Sequence, residues 1–371
     1  MSNSQLQKAI KRRSENLKEY LKQNKKITSE ANKRFSDDRK QRQERGKDDA
    51  KQSQPTFLRP QDIERGLKYD VEKTFKTTLG GDLRYVTADD LKAFKGNIKT
   101  LADHYVGGIT AKKIISLSSP IDIERCNTEI LSVAPHSIKD GVVQFITNAS
   151  GKYKEKVHYI NVQFLEYNSM ALSPDMPTSL QIKSRLSLGN VKFECDCGRH
   201  TYWYRYMASI GGYGYGRQEE GYPKVRNPRL MGLACKHVLR VMQYIQMPLF
   251  QNFIKNSISK ERNTQLGKRI KPSVSEQVEN IDSHSQKMKQ SRTRTVKINP
   301  NLRDRELMRR ATVQANKFNQ RRVRNIAKEQ NVTTQEAEHS LKVEARIQLL
   351  GLLKRGMITE SAYKVLLKGI S

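Results

Sequence analysis

A chain of 371 residues is long enough for two or three domains, but 36% hydrophobic against 29% charged residues is lean for a fully packed one, so part of it is expected to be extended or unpacked. A net charge of +31 excludes a neutral or acidic surface and favours a polyanionic partner, nucleic acid before an anionic membrane or an acidic protein. No apolar run approaches the roughly 20 residues of a membrane span, and the opening MSNSQLQKAIKRRSENLKEY has no apolar signal core, so a soluble protein with no membrane span and no Sec export is expected.

Residues 1–55 read as a basic N-terminal arm. Over residues 1–50 there are 15 Lys and Arg against 8 Asp and Glu, and Ala9, Ile10, Leu17 and Leu21 are almost the only apolar groups. Helix propensity is adequate, but so narrow an apolar face predicts a mobile or solvent-exposed helix. Residues 56–190 read as an α+β domain. Thr87-Ala-Asp-Asp90 resembles a capping box opening a helix that carries Leu91, Phe94, Ile98 and Leu101 on one face. Thr110 caps a second helix with Ile114 and Ile115, and Cys126 is read as a small helix-packing residue. The period then changes to two, and Gly141–Ile146 and Val157–Leu165 read as two strands joined by a turn.

Residues 191–250 hold the other three cysteines. Val191-Lys-Phe193-Glu-Cys195-Asp-Cys197-Gly198 alternates as a strand does, which puts Cys195 and Cys197 on one face. After 37 intervening residues come Cys235 and His237, the latter opening an amphipathic run through Val238, Leu239, Val241, Met242 and Ile245. Thiolates and an imidazole in two close pairs suit Zn2+, which takes four such ligands in a tetrahedron. Cys195, Cys197, Cys235 and His237 make that set, with His200 a rival for the fourth place. Three of four cysteines at metal-ligand spacing argue for a reducing compartment rather than a disulfide framework.

Cys195-x-Cys197 followed by Cys235-x-His237 resembles the SWIM-type zinc finger, a strand-strand-helix unit with Cys-x-Cys, a variable spacer and Cys-x-His. The resemblance implies that these four residues bind zinc. The 37-residue spacer is longer than such spacers usually are. Within it, Thr201-Tyr-Trp-Tyr-Arg-Tyr206 and Gly211-Gly-Tyr-Gly-Tyr-Gly216 admit two readings: aromatics and arginines stacking on bases, or a small hydrophobic cluster around the metal with a glycine loop.

More broadly, the run GGITAKKIISLSSPIDIERCNTEILSVAPHSIKDGVVQFITNAS, followed by VHYINVQFLEY, CDCGRHTYWYRYMASIGG and GYPKVRNPRLMGLACKHVLRVMQ, is similar to a family of structural proteins from large short-tailed bacteriophages. That resemblance spans roughly Gly107 to Gln246 and implies a place, the virion, with synthesis in the bacterial host cytoplasm.

Residues 251–302 read as a basic linker or extended segment, rich in Ser, Asn, Gln, Lys and Arg. Over residues 256–330 there are 19 Lys and Arg against 7 Asp and Glu. Residues 303–371 read as helical, with a capping box at Thr333-Thr-Gln-Glu336 and a short closing helix after Thr359. Arg292, Arg294, Arg309, Arg310, Arg321, Arg322 and Arg324 are the candidate phosphate contacts.

No His-Glu-x-x-His, Walker loop or Gly-x-Ser-x-Gly occurs, and no Glu stands beside the metal ligands as in zinc deaminases. Four protein ligands leave no open coordination position, so the metal is expected to be structural and the protein non-enzymatic. The expectation is an α+β protein with a zinc-stapled central domain and flanking basic arms, largely helical or extended. It is expected to be internal to the virion or ejected with the genome, contacting DNA non-specifically and other virion proteins, with self-association possible. The alternative is a zinc-stabilised assembly protein whose basic arms bind acidic surfaces of neighbouring virion proteins.

Overall fold

The computed structural model describes residues 3–24, 26–51, 57–60, 63, 75–102, 105, 108–150, 155–264, 267–290 and 295–354, together with 360, 363, 364 and 367. The chain divides into two compact units, residues 1–303 and 304–371. In chain order the first unit carries α1 (Asn3–Gln23), α2 (Ile27–Lys51), β1 (Lys76–Thr77), β2 (Arg84–Tyr85), α3 (Ala88–Ala102), β3 (Ile109–Thr110), α4 (Ala111–Leu117), α5 (Pro120–Glu129), β4 (Val133–Lys139), β5 (Val142–Asn148) and β6 (Val157–Phe164). It continues with α6 (Tyr167–Ala171), α7 (Ser179–Leu188), β7 (Asn190–Cys195), a π-helical turn at His200–Tyr204, α8 (Arg205–Ile210), α9 (Lys236–Tyr244), α10 (Pro248–Asn263) and α11 (Val274–Lys289). Helix α12 (Pro300–Gln330) leads into the second unit, where α13 (Thr334–Lys354) follows. The expected closing helix after Thr359 falls mostly outside the described residues.

The mixture of helices and sheet is the α+β class expected. The centre is a five-stranded antiparallel sheet in the order β3-β7-β6-β5-β4. The expected strand pair is β5 and β6, with Phe145 opposite Ile160 and Val143 opposite Val162. Strand β7 then adds to β6, with Cys195 opposite Ile160 and Phe193 opposite Val162. Strand β4 was not anticipated. Pro135 and a register shift between Pro135 and Ser137 break its alternation, although Asp140 and Gly141, both at positive φ, form the tight turn that an Asp-Gly pair signals.

The period-two alternation gives the sheet two buried faces. The inner face presents Val143, Phe145, Ile160, Val162, Phe193 and Cys195 to the main core, which α4, α5, α9 and α10 close with Ile114, Leu239, Val241, Tyr244 and Phe250. Cys126 packs in this core from α5, as expected. The outer face presents Ala134, Ile146, Val157 and Tyr159 to Leu17, Leu21, Ile27, Ala31 and Ile281.

That second cover corrects the reading of residues 1–55 as an exposed arm. Ile10, Ser14, Leu17 and Leu21 recur at helical spacing, and this thin stripe is enough because the sheet and α11 meet it from two sides. Residues 251–302 are likewise not an extended linker where they are described. Helix α10 buries Phe250, Ile254 and Ile258, and α11, opened by a reciprocal Ser273–Glu276 capping box, buries Ile281, His284 and Met288. Val296 then exchanges two hydrogen bonds with the Asn127 side chain, at 2.8 and 3.1 Å. The capping boxes read at Thr87 and Thr333 both form: Asp90 accepts from the Thr87 amide at 2.9 Å, and Glu336 accepts from the Thr333 amide at 2.8 Å.

Candidate metal centre

Cys195 ends β7 on the inner face of the sheet, and Cys197 follows one residue beyond the strand. Cys235 is the N-cap of α9 and His237 lies in its first turn, so the helix start faces the strand end. The alternation of the first pair and the helical placement of the second both form as expected. All four residues are buried, and their ligand atoms lie within 4.8 Å of one another. The His237 Nδ1 atom is 4.0 Å from the Sγ of both Cys195 and Cys235. Bonds of ~2.3 Å to sulfur and ~2.0 Å to nitrogen place tetrahedral ligands roughly 3.5–3.8 Å apart, so closure by up to about 1 Å would bring the set to zinc geometry.

The electrostatics point the same way. Burial alone would push all three thiols up, yet hydrogen bonds from Cys195 and Cys235, with the nearby His237, draw Cys197 well below its usual value, while Cys195 and Cys235 are driven up. A bound cation is what would let three thiols ionise together at so buried a place. Burial keeps the His237 pKa low, which holds the neutral imidazole that a metal requires. The His200 amide donates to Cys197 Sγ at 3.3 Å.

His200 stands outside the group of four whose ligand atoms converge. Its ring lies against Phe193, its Nδ1 is buried with no hydrogen-bond partner, and burial pushes its pKa down to about 3. It contributes its backbone, positioned by the π-helical turn, and not its ring.

A second layer of residues, not anticipated from the sequence, holds the cluster in place. Asp196 lies between the two cysteines, and its carboxylate accepts from His158 Nδ1 at 2.8 Å, the Tyr159 amide at 3.1 Å and Arg34 Nη1 at 3.1 Å. The His158 ring packs against that of His237, 4.3 Å between centroids. Burial works to lower the His158 pKa, but the hydrogen bond and charge of Asp196 outweigh it and raise it. Arg34 comes from α2 and also donates to the Val157 carbonyl at 2.9 Å. Next along α2, Asp38 pairs with Arg205 and, at 3.3 Å, with Arg217, while Arg205 also lies 3.2 Å from Glu194. Burial raises Glu194 to about 7 against the pull of Arg205. The alternation that put two cysteines on one face also placed Asp196 off it; nothing local to the motif pointed to Arg34 or His158.

Of the two readings of the spacer, packing describes most of it. Tyr204, Tyr206, Tyr213 and Tyr222 are buried. The glycine run folds back so that Phe193 donates to the Tyr213 carbonyl and accepts from the Tyr215 amide, both at 3.0 Å, covering the free edge of β7. A Cβ at Gly211 would stand 2.5 Å from the buried Tyr213 ring, which holds that position to glycine, and one at Gly214 would crowd the Ala208 backbone at 3.2 Å. Tyr202 is the exposed aromatic of the spacer, and Trp203 and Tyr215 are half-buried.

The candidate phosphate contacts lie apart from the cluster in sequence. Arg292 and Arg294 fall outside the described residues. Arg309, Arg310 and Arg321 are on α12, with side chains outside the described set. Arg322 and Arg324 are exposed on the same helix, and Arg322 lies 3.7 Å from Glu344 of α13. Among the described residues no helix is long and apolar enough to cross a membrane.

Comparison with family models, with curated proteins and with solved structures returned no match. What the molecule offers is therefore its own geometry: a buried Cys3His cluster compatible with a zinc finger.

Proposed function

We propose that this is a non-enzymatic, zinc-stabilised virion protein of a bacteriophage that contacts DNA without reading its sequence, and that its metal centre is of the SWIM type. The observation that carries the zinc half is the burial of Cys195, Cys197, Cys235 and His237 with their ligand atoms converging. Four protein ligands fill a tetrahedron and make a structural site, whose binding is worth roughly 10–16 kcal/mol and becomes folding energy. Metal analysis of the purified protein is expected to give one zinc per chain. Less than half an equivalent after purification without chelators would remove this half of the reading.

The DNA half rests on charge. Residues 304–371 carry 14 Lys and Arg against 7 Asp and Glu, and Arg322 and Arg324 are exposed on α12. Phosphate neutralisation by such a helix releases counterions and needs no base contact. The test is a salt titration of random duplex binding by the full chain and by the triple variant Arg321→Ala, Arg322→Ala, Arg324→Ala. A steep slope of log affinity on log salt, made shallower in the variant by about one for each phosphate it no longer neutralises, supports the reading. Binding that is absent at physiological salt sinks it.

The assembly reading has one observation of its own. Val343, Ile347 and Leu350 recur at helical spacing on α13 and are exposed, a stripe suited to a neighbouring virion subunit or a second copy. Sedimentation of the full chain against Ile347→Glu tests it, since only a self-association through this stripe would be lost.

A further inference from the structure

The spacer between the ligand pairs does more than fill the core. Where it reaches the surface it forms a cleft of about 170 Å3 whose walls include Phe57, Tyr202, Tyr206 and Tyr222 and whose lining also includes Lys224 and Arg226. Tyr202 is 46% exposed, and Arg226 is exposed with its guanidinium 5.2 Å from the centre of the Trp203 ring. The acid in the lining, Glu219, is buried, accepts from the Gly221 amide at 3.1 Å and lies 3.8 Å from Arg217, so its charge is offset within the protein.

The β1–β2 hairpin extends this surface. Thr77 Oγ1 donates to the Lys224 carbonyl at 2.6 Å and Thr78 Oγ1 to the Val225 carbonyl at 2.7 Å, which docks the hairpin beside the cleft. It presents Tyr85, 49% exposed, with the Lys76 ammonium 5.1 Å from its ring centre. Two exposed rings, Tyr202 and Tyr85, with Arg226 and Lys76 nearby, supply what an unpaired strand needs: a face for a base and a positive charge for the phosphate beside it.

We infer that this aromatic cleft and the adjoining hairpin bind single-stranded nucleic acid, with a base against the Tyr202 wall, the next phosphates met by Lys224 and Arg226, and Tyr85 a second stacking surface. The inference rests on the nucleic-acid reading above, but on none of its residues. A proline-rich peptide would also use aromatic walls. The two cations of the lining, on a chain of net charge +31, favour the phosphate-bearing ligand.

Trp203 is the only tryptophan, and although it does not line the cleft it adjoins Tyr202 and lies under Arg226 of the lining, so its emission is sensitive to a ligand that moves Arg226. The test titrates the full chain with an oligothymidylate of about eight nucleotides, within the site sizes of single-strand binders. A saturable change in emission is expected, with affinity weakened roughly tenfold by Tyr202→Ala and by Arg226→Glu and retained by Tyr202→Phe. Both positions are exposed, and circular dichroism of each variant is expected to match the parent. Duplex affinity is expected to be unmoved by Tyr202→Ala, because paired bases are not open to stacking. An unchanged emission with duplex binding intact overturns the cleft and leaves the DNA reading standing; loss of both overturns both. Equal oligothymidylate affinity in the parent and Tyr202→Ala, or a response to a decaproline peptide and not to the oligonucleotide, also overturns it.

Discussion

The two faces of the central sheet are closed by different means. On the inner face, large side chains from β5, β6 and β7 meet α9 and α10 in one continuous core, and the cysteine cluster sits at its end. On the outer face, the cover is a thin row of aliphatics from α1 and α2 supplemented by polar contacts: Arg13 to the Ser150 carbonyl, Tyr20 and Tyr159 to Glu30, Thr28 to His136, and Arg34 to Asp196. Apolar burial tolerates small shifts in position, whereas hydrogen bonds and ion pairs to buried groups do not, and each buried partner left alone is costly. The outer layer is therefore the part of the unit most easily released, and Asp196 is where the two faces communicate.

The largest break in this contrast is removal of the metal set. Cys235→Ser, or a strong chelator, is expected to unfold the first unit cooperatively, since roughly 10–16 kcal/mol of binding is of the same size as the 5–15 kcal/mol stability of a typical domain or larger. Loss of the far-ultraviolet dichroism of the sheet checks this, and a variant that melts like the parent would show that the inner core suffices alone.

Next comes Asp196→Ala, which strands His158 and Arg34 and is expected to cost about 3–5 kcal/mol. Proteolysis within residues 1–51 should accelerate while zinc stays bound, separating the outer layer from the cluster. Leu17→Ala takes away one of the few outer-face aliphatics and should cost about 2–4 kcal/mol, read as a lower denaturation midpoint.

The smallest effect is a pH dependence. Burial, aided by Arg240 and Lys287, pushes His284 on α11 down to about 3, and both its ring nitrogens are without hydrogen-bond partners. As pH falls below ~6.5 the unfolded chain takes up this proton first, so the stability it contributes is complete above that value and declines towards pH 3, by about 2 kcal/mol at pH 5. His284→Phe, beside the Tyr244 ring, should flatten that part of the acid limb without lowering stability at pH 8.

Much of the candidate site was readable because its geometry is local. Cys195 and Cys197 share a face by strand alternation, and Cys235 and His237 share a helix start. Arg34, His158 and Asp196 form one bridge in space but are scattered in sequence, so no window contains them. The same limit explains the N-terminal helices: Ile10, Leu17 and Leu21 look too few for burial until the sheet's second apolar face is known to lie opposite. Strand β4 was hidden by Pro135 and its bulge, and α11 by a polar composition in which Ile281 and Met288 are the large apolar residues buried, beside Gln277, His284 and Ser285.

The spacer between Cys197 and Cys235 leaves the cluster and comes back to it, and its return along β7 is fixed by the paired Phe193, Tyr213 and Tyr215 backbones. Everything beyond Gly216 as far as Tyr222 is therefore a loop whose ends are already tied. Lengthening such a loop is cheap, about 0.6 kcal/mol for each doubling of its length. The spacer can therefore take an insertion at that one place while Cys195, Cys197, Cys235 and His237 keep their geometry, and the added residues would emerge beside the aromatic cleft, where a new surface has room to form.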